Sequence, residues 1–421
     1  MLKIFNSIPR IQTFDSLKAH RNYRFLWLAN FCSNTAHWLQ LLTLGWLVKF
    51  LSEDGSNSAL LVVGIGGAVA LPGVFIGPLG GVLGDRLDRR KLVIAIDVFM
   101  ALLALIFAVL VQMNIIEIWQ GYLYALIAGS CESIKMPVRS ALVANTVPDR
   151  DISNAFATSV LTIPGTRMIG PFVGGLIVSS FGFFWNFAIE AFLYTSTVLC
   201  LIPMSLEYAG TKSEDEKFNF KRMFPDVFDG FKYLWRKQKS LSYLIILSSV
   251  PNIICQPILF LLPLYTASVL NKGADFGGYL LAVNGAGGLL MVLFISAFGF
   301  PSKRGLFCVI CAFTSASITL LLSQTVWIPV AFLVLAAFGA TQTAFRTTNG
   351  VLVQTLTDDL YRVRVMSVYR VVAGMIVIFG LGVGWMTDLT SPRWTIGIMG
   401  LIAVLISALF LIKVPVVRNQ K

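Results

Sequence analysis

Charge is scarce in this 421-residue chain: 13% of its residues are Asp, Glu, Lys or Arg, against about 25% in an average soluble domain. With 56% of the residues hydrophobic, there is too little polar surface to cover a water-soluble protein. Histidine is nearly missing, with only His20 and His37. The six cysteines join no Cys/His cluster, so no metal site is expected. Cys308-x-x-Cys311 has redox spacing but lies in an apolar run, where two small buried hydrophobes are the simpler reading. No Gly-x-x-x-x-Gly-Lys-Ser/Thr phosphate loop occurs, which excludes an ATP-driven pump. No nucleophile–base set marks an enzyme, and no cofactor is expected. Short alternating segments of a membrane barrel are also absent.

Long apolar runs are what the chain has instead. A helix needs about 20 such residues to cross roughly 30 Å of hydrocarbon, and twelve runs qualify: 25–50 (span 1), 59–83 (span 2), 92–113 (span 3), 119–142 (span 4), 154–181 (span 5), 183–204 (span 6), 241–268 (span 7), 276–300 (span 8), 306–324 (span 9), 327–349 (span 10), 364–387 (span 11) and 394–413 (span 12). Of the 33 basic residues, 26 fall before span 1, after span 12 or in loops on that side, three (Lys49, Lys272, Arg393) on the other, and four (Lys135, Arg167, Arg346, Arg370) inside spans. Positive residues stay inside, so both termini are expected in the cytoplasm. The formal charge of +12 is then a membrane-orientation signal and not a nucleic-acid footprint. The first ten residues have no continuous apolar stretch, so a cleaved signal peptide is not expected.

The organisation expected is an all-α integral membrane protein. A cytoplasmic segment 1–24 precedes a six-helix bundle over 25–204. A polar linker, 205–240, leads to a second bundle over 241–413 and a tail, 414–421. In the linker Val227, Phe228, Phe231 and Leu234 fall at helical spacing beside Lys232, Arg236 and Lys237, the pattern of an interfacial helix. Leu142–Asp149 after span 4 resembles Leu352–Asp358 after span 10, at an offset near half the chain. Parallel six-helix repeats with a site between them are a common transporter plan.

The loop after span 2 runs Gly81-Val82-Leu83-Gly84-Asp85-Arg86-Leu87-Asp88-Arg89-Arg90-Lys91. It resembles the loop 2–3 signature of the major facilitator superfamily, Gly-x-x-x-Asp-Arg-x-Gly-Arg-Arg-Lys, departing from it at Asp88. The resemblance implies a cytoplasmic latch that releases as two six-helix halves rock. Gly81, Asp85, Arg86, Arg89 and Arg90 carry the motif, with Asp97 and Arg370 as its expected partners, and the arginines are candidates for anionic lipid phosphates. In span 5, Gly165-Thr166-Arg167-Met168-Ile169-Gly170-Pro171-Phe172-Val173-Gly174-Gly175 is similar to the antiporter motif of drug exporters, with Gly165 one position off. Asn22–Trp27, Pro137–Leu142, Thr166–Pro171 and Arg362–Ser367 are similar to the enterobactin-exporter and macrolide-efflux branch, the transmembrane secretion effectors.

Charges inside spans are costly and therefore informative. Glu132 and Lys135 share a helix face at i,i+3, and Arg167 is at similar depth in the next span. Glu132, Lys135 and Arg167 are the candidate proton-coupling cluster. Asp97, six residues after Lys91, reads as shallow, Glu190 as lining the outer cavity, and Arg346 as snorkelling near a cytoplasmic end. Span 1 carries Asn30, Ser33, Asn34, His37 and Gln40 on one face. That face, Trp38, and Asn252 and Gln256 in span 7, Asn284 in span 8 and Gln342 in span 10 are the candidate cavity lining, with Trp185 and Phe260 for a bulky ligand. The function expected is a proton-coupled exporter of an amphipathic small molecule such as a siderophore, macrolide or other drug. The protein would work as a monomer in a bacterial cell membrane. The rivals are a lipid or lysolipid flippase of the same fold and a non-transporting receptor.

Overall fold

A computed structural model describes residues 15–52, 58–76, 83–84, 87–205, 239–357 and 374–420, with single positions 232, 234, 361, 365, 368, 369 and 372. Among them all regular structure is helical. Spans 1 to 4 are Arg21–Leu51, Ser58–Phe75, Arg89–Gln112 and Ile118–Asn145. Span 5 is broken into Ile152–Val160 and Thr162–Phe181, and span 6 is Phe183–Leu201. In the second half come span 7 (Lys239–Ser249, a π turn Val250–Cys255, and Ile258–Ser268), span 8 (Ala274–Phe298), span 9 (Arg304–Gln324), span 10 (Ile328–Leu356), span 11 (Ile376–Leu389) and span 12 (Pro392–Lys413). Eight of these stretches are long and apolar enough to cross a membrane; Ser58–Gly73 and Ile376–Leu389 are apolar but shorter.

Burial is inverted relative to a soluble protein. On span 3, Phe99, Leu102, Leu105 and Ile106 are exposed, while Asp97 on the same helix is 0% exposed. Apolar side chains face outward toward the medium and ionic ones inward, as expected where the solvent is hydrocarbon.

Span 1 packs on spans 5 and 6, span 3 on span 6, and span 2 on span 4; in the second half span 9 packs on spans 10 and 12, and span 8 on span 10. The two sets meet along spans 5 and 8 and along spans 2 and 11. Backbones touch directly at the first contact. A Cβ added to Gly175 would lie 2.8 Å from the Ala274 carbonyl oxygen and 2.9 Å from the Gly278 Cα. Only glycine permits that approach, the small-residue packing common between membrane helices.

Local chemistry shapes the ends and breaks. Asp88, the departure from the family signature, caps span 3: its carboxylate accepts from the Lys91 backbone N–H at 3.0 Å. Pro251 and Pro257 lack the N–H groups that an α-helical ladder needs, and span 7 widens into a π turn that contains the first and ends two residues before the second. The Pro251 carbonyl accepts from Gln342 Nε2 at 2.9 Å. The linker segment 206–231 and the latch residues Gly81, Asp85, Arg86 and Arg370 lie outside the described residues, as do Val227, Phe228 and Phe231 of the expected interfacial helix.

Candidate functional site

Between the two helix sets lies a cavity of about 330 Å³. His37, Trp38 and Leu41 line it from span 1, Ile65 and Val69 from span 2, and Glu132 and Ser133 from span 4. Gln256, Leu259 and Phe260 face it from span 7 and Leu281 from span 8. Most of this wall is apolar, with a few convergent polar groups, the usual make-up of a small-molecule site.

One polar group opens onto a buried ionic cluster. Glu132 is 24% exposed; its Oε2 is 3.3 Å from Lys135 Nζ and its Oε1 is 3.8 Å from Arg139 Nη1. Lys135, 1% exposed, also donates to Asp97 Oδ1 at 2.8 Å, and Arg139 Nη2 lies 3.7 Å from Asp97 Oδ2. Ser33 joins span 1 to the cluster, accepting from Lys135 at 3.2 Å and from Arg139. Asn34 accepts from Arg139 Nη1 at 3.3 Å. Two carboxylates and two cations thus balance inside three packed helices. Such a buried set is held only when every charge finds a partner, and losing one strands the rest.

Several sequence expectations are corrected by this geometry. Asp97 is no shallow partner of the latch loop; it is the buried counterion of Lys135. Arg139, counted with the loop residues, is 7% exposed inside span 4, because that helix runs through Pro137 to Asn145. Arg167 does not join Glu132: its guanidinium lies over the Trp38 ring, 5.0 Å from the centroid, on a helix packed against spans 1, 6 and 8. Glu190 is 0% exposed and is not among the residues lining this cavity; it accepts from the Tyr124 hydroxyl at 2.7 Å. Arg346 does not snorkel. It donates to Asn252 Oδ1 at 2.9 Å and to Gln256 Oε1 at 2.7 Å, because span 10 continues to Leu356 and leaves it well inside.

Of the expected cavity residues, His37, Trp38 and Gln256 line it. Asn30 and Gln40 are buried in helix packing. Asn252 is spent on Arg346, Asn34 on Arg139, Asn284 on the Leu335 carbonyl at 3.2 Å, and Gln342 on Pro251 and Ser315. Phe260 lines the cavity, whereas Trp185 is exposed on the outer surface. In the span 5 motif, Gly170 meets the Thr35 carbonyl and Trp38 of span 1, and Gly174 meets Leu39 and Leu42. Pro171 and Gly175 lie against Gly278 of span 8, and nothing lies within 4 Å of a Cβ at Gly165. Arg89 donates to the Gly84 carbonyl at 2.9 Å and to Asn145 at 2.8 Å. Arg90 donates to the Leu201 carbonyl at 2.9 Å and to that of Ile202. Both arginines thus engage groups at the ends of neighbouring helices, where cations are favoured at C-termini.

One residue that sequence reasoning missed closes the far face, the face where span 1 ends and span 2 begins. Asp388, at the end of span 11, accepts from the backbone N–H groups of Ala59 and Leu60 at 2.8 Å each. These are orphan donors of the first turn of span 2, and a carboxylate there is favoured by both hydrogen bonding and the helix dipole. Next to this clasp a Cβ on Gly384 would sit 2.8 Å from the Leu60 Cα. The clasp joins residues more than 320 positions apart, and nothing local in the sequence announces it.

Comparison with known proteins agrees with this architecture. Residues 12–421 match the family model described as transmembrane secretion effector. An MFS-type transporter of Bacillus subtilis (strain 168), YfiS, is 22% identical over 411 residues, 92% of each chain. The enterobactin exporter EntS of Shigella flexneri is 27% identical over 192 residues, 45% of this chain and 44% of that one. A crystal structure of a POT family transporter in complex with 5-aminolevulinic acid superposes with a TM-score of 0.73 at 13% identity, covering 94% of this chain and 97% of the other. A family match over nearly the whole length, on a fold with its charges turned inward and a cavity between two helix sets, makes this chain a member of the transmembrane secretion effector family of major facilitator transporters, a multi-pass membrane protein.

Proposed function

We propose that the protein is a proton-coupled exporter of an amphipathic small molecule, working by alternating access with the inter-half cavity as its transport site. The carrying observation is Glu132. It is the acidic residue on the cavity wall, and it is tied to Lys135 and Arg139. A proton on Glu132 removes the charge that holds those two cations, leaving Asp97 to balance both. The cluster then carries a net positive charge and its packing of spans 1, 3 and 4 loosens. His37 faces the same cavity wall. Substrate and proton therefore act on one group from the same side, which is the requirement of exchange. The family membership, the EntS likeness and the glycine-rich span 5 support export.

In this reading twelve crossings leave both termini in the cytoplasm, as the distribution of basic residues implies. The far face closed by Asp388 is then the external one. The halves 25–204 and 241–413 rock about their shared contacts, and the basic cytoplasmic face meets anionic lipid.

The test is transport in proteoliposomes under an imposed pH gradient, comparing the parent with Glu132→Gln on an enterobactin-like catecholate and a macrolide. The variant is expected to lose gradient-driven accumulation and to keep downhill exchange. Gradient dependence that matches the parent's refutes the coupling role.

A further inference from the structure

Two arginines flank the cavity and differ from every other buried cation described above. Arg167, from span 5 in the first half, is 8% exposed. Its Nε and Nη2 atoms are buried without a hydrogen-bond partner. Its guanidinium stacks on Trp38, a cavity-lining residue. Arg346, from span 10 in the second half, reaches the cavity through Gln256, whose Oε1 it holds at 2.7 Å. Its named partners, Asn252 and Gln256, are neutral amides. Each guanidinium stands directly behind a wall residue, Arg167 behind Trp38 and Arg346 behind Gln256.

Neither arginine pairs with a carboxylate among the described residues. Lys135 and Arg139 are balanced by Asp97 and Glu132, and Glu190 is engaged by Tyr124. A structural role also leaves a different signature. Arg90 and Arg393 spend their donors on helix-end carbonyls, Leu201 and Ile202 for the one and Ser323 for the other. Arg139 leaves its Nε unspent but has Asp97 and Glu132 beside it, whereas Arg167 leaves two nitrogens unspent in the interior with no carboxylate beside it among the described residues. Arginine does not shed its proton in proteins, and a buried guanidinium without a counter-charge costs several kcal/mol. Among the described residues no group supplies that counter-charge, and a bound anion would.

We infer that the cavity takes an organic anion, its acidic group held between Arg167 and Arg346 and its apolar body lying against Trp38, Leu259, Phe260 and Leu281. The inference rests on the reading of this cavity as the transport site and names its substrate class. Guanidinium matches carboxylate, sulfonate or phosphate oxygens in a two-pronged fork, and the body meets a largely apolar wall. Because one arginine comes from each half, the bound acid ties the halves together. A cavity of about 330 Å³ stands at the small end of the range of roughly 300–1,000 Å³ for ligand pockets, so the body enclosed is of one- or two-ring size.

The experiment uses the purified full-length protein in detergent and four probes with one body: 1-naphthoate, 1-naphthalenesulfonate, 1-naphthylmethanol and 1-naphthylmethylammonium. Thermal unfolding is followed with a thiol-reactive dye, which reads exposure of the buried Cys255, Cys308 and Cys311. Both anions are expected to raise Tm in a saturable way, with Kd at least tenfold below that of the alcohol, and the ammonium to give no shift. Arg167→Gln and Arg346→Gln are each expected to bring naphthoate within about twofold of the alcohol. Where a glutamine variant shows no cooperative melt, Arg167→Lys and Arg346→Lys replace it and are expected to retain an anion preference weakened several-fold. Equal binding of the four probes by the parent protein overturns the inference, as does an anion preference that survives both glutamine changes. Flux of the same probes in proteoliposomes separates this inference from the exporter reading. Anion-selective binding without flux upholds the arginine site and removes the exporter, whereas flux with no charge preference overturns the arginine site and leaves the exporter standing.

Discussion

Replacing Asp388 by alanine is expected to unclasp the far face without disturbing the cavity. The carboxylate accepts two N–H groups from the first turn of span 2 at 2.8 Å each, and it does so across the boundary between the halves. Losing an N-terminal cap costs about 0.5–2 kcal/mol, and a half-buried carboxylate belongs in the upper part of that range because it also meets the helix dipole. These bonds exist only while spans 2 and 11 touch, so their loss falls on the closed arrangement alone. A loss of about 1.4 kcal/mol shifts the closed-to-open ratio roughly tenfold. The assay is the alkylation rate of a cysteine placed at Val62, a buried cavity-lining position close behind the clasp. A membrane-impermeant thiol reagent is applied from the far face of a protein lacking Cys32, Cys131 and Cys200. Where opening is fast relative to alkylation, the rate reports the open population. Asp388→Ala is expected to raise it about tenfold, and Asp388→Asn, which keeps one accepting oxygen but no charge, about threefold by the same free-energy scale. Equal rates in Asp388→Ala and the parent would refute the clasp.

The ionic cluster makes a sharper stability test. Lys135→Met strands Asp97 and is expected to cost about 3–5 kcal/mol; adding Asp97→Asn is expected to recover most of the lost Tm, and a double variant as unstable as the single one would break the assignment. Gly278→Leu puts a side chain into the span 5 backbone and is expected to lower stability by about 1–3 kcal/mol. Gly165→Ala, with open space around it, is expected to be neutral or stabilising by up to about 1 kcal/mol, so thermal melts of the pair rank the two glycines. Asp88→Ala is expected to lose about 1 kcal/mol through the span 3 cap, while Asp88→Gly, which restores the family's residue, loses only a few tenths; equal losses would mean the cap carries no weight.

Helix positions were legible because an apolar run of membrane length has few other fates, and the Glu132–Lys135 contact because i,i+3 neighbours share a face. Depth was harder to read. Arg139 and Arg346 read as peripheral because each falls three residues from the end of its apolar run, at 142 and 349, yet both helices continue, to Asn145 and Leu356. Partners across helices were harder still. Spans 4 and 5 are consecutive, which suggested a Glu132–Arg167 pair, but span 5 leans on spans 1, 6 and 8. Asp97 meets Lys135 through a packing of spans 3 and 4 that no periodicity encodes. The amides expected in the cavity illustrate the same limit: a polar stripe shows that a helix face avoids lipid, not whether it meets water or another helix.

The glycine contact between spans 5 and 8 has a mechanical consequence. Gly175 and Gly278 touch backbone to backbone, and two turns along span 8 Gly285 meets span 5 in the same way, a Cβ there lying 2.5 Å from the Met168 nitrogen, with no side chain at either point to compress or swing aside. The last rigid contact along a rod is its fulcrum. From Gly285 to Phe298 span 8 runs about 20 Å at 1.5 Å per residue, so a tilt of roughly 10° about that point moves its far end by about 3 Å. Motion too small to disturb the packing at the fulcrum thus becomes, at the opposite face, a displacement of about one residue's step along an extended chain.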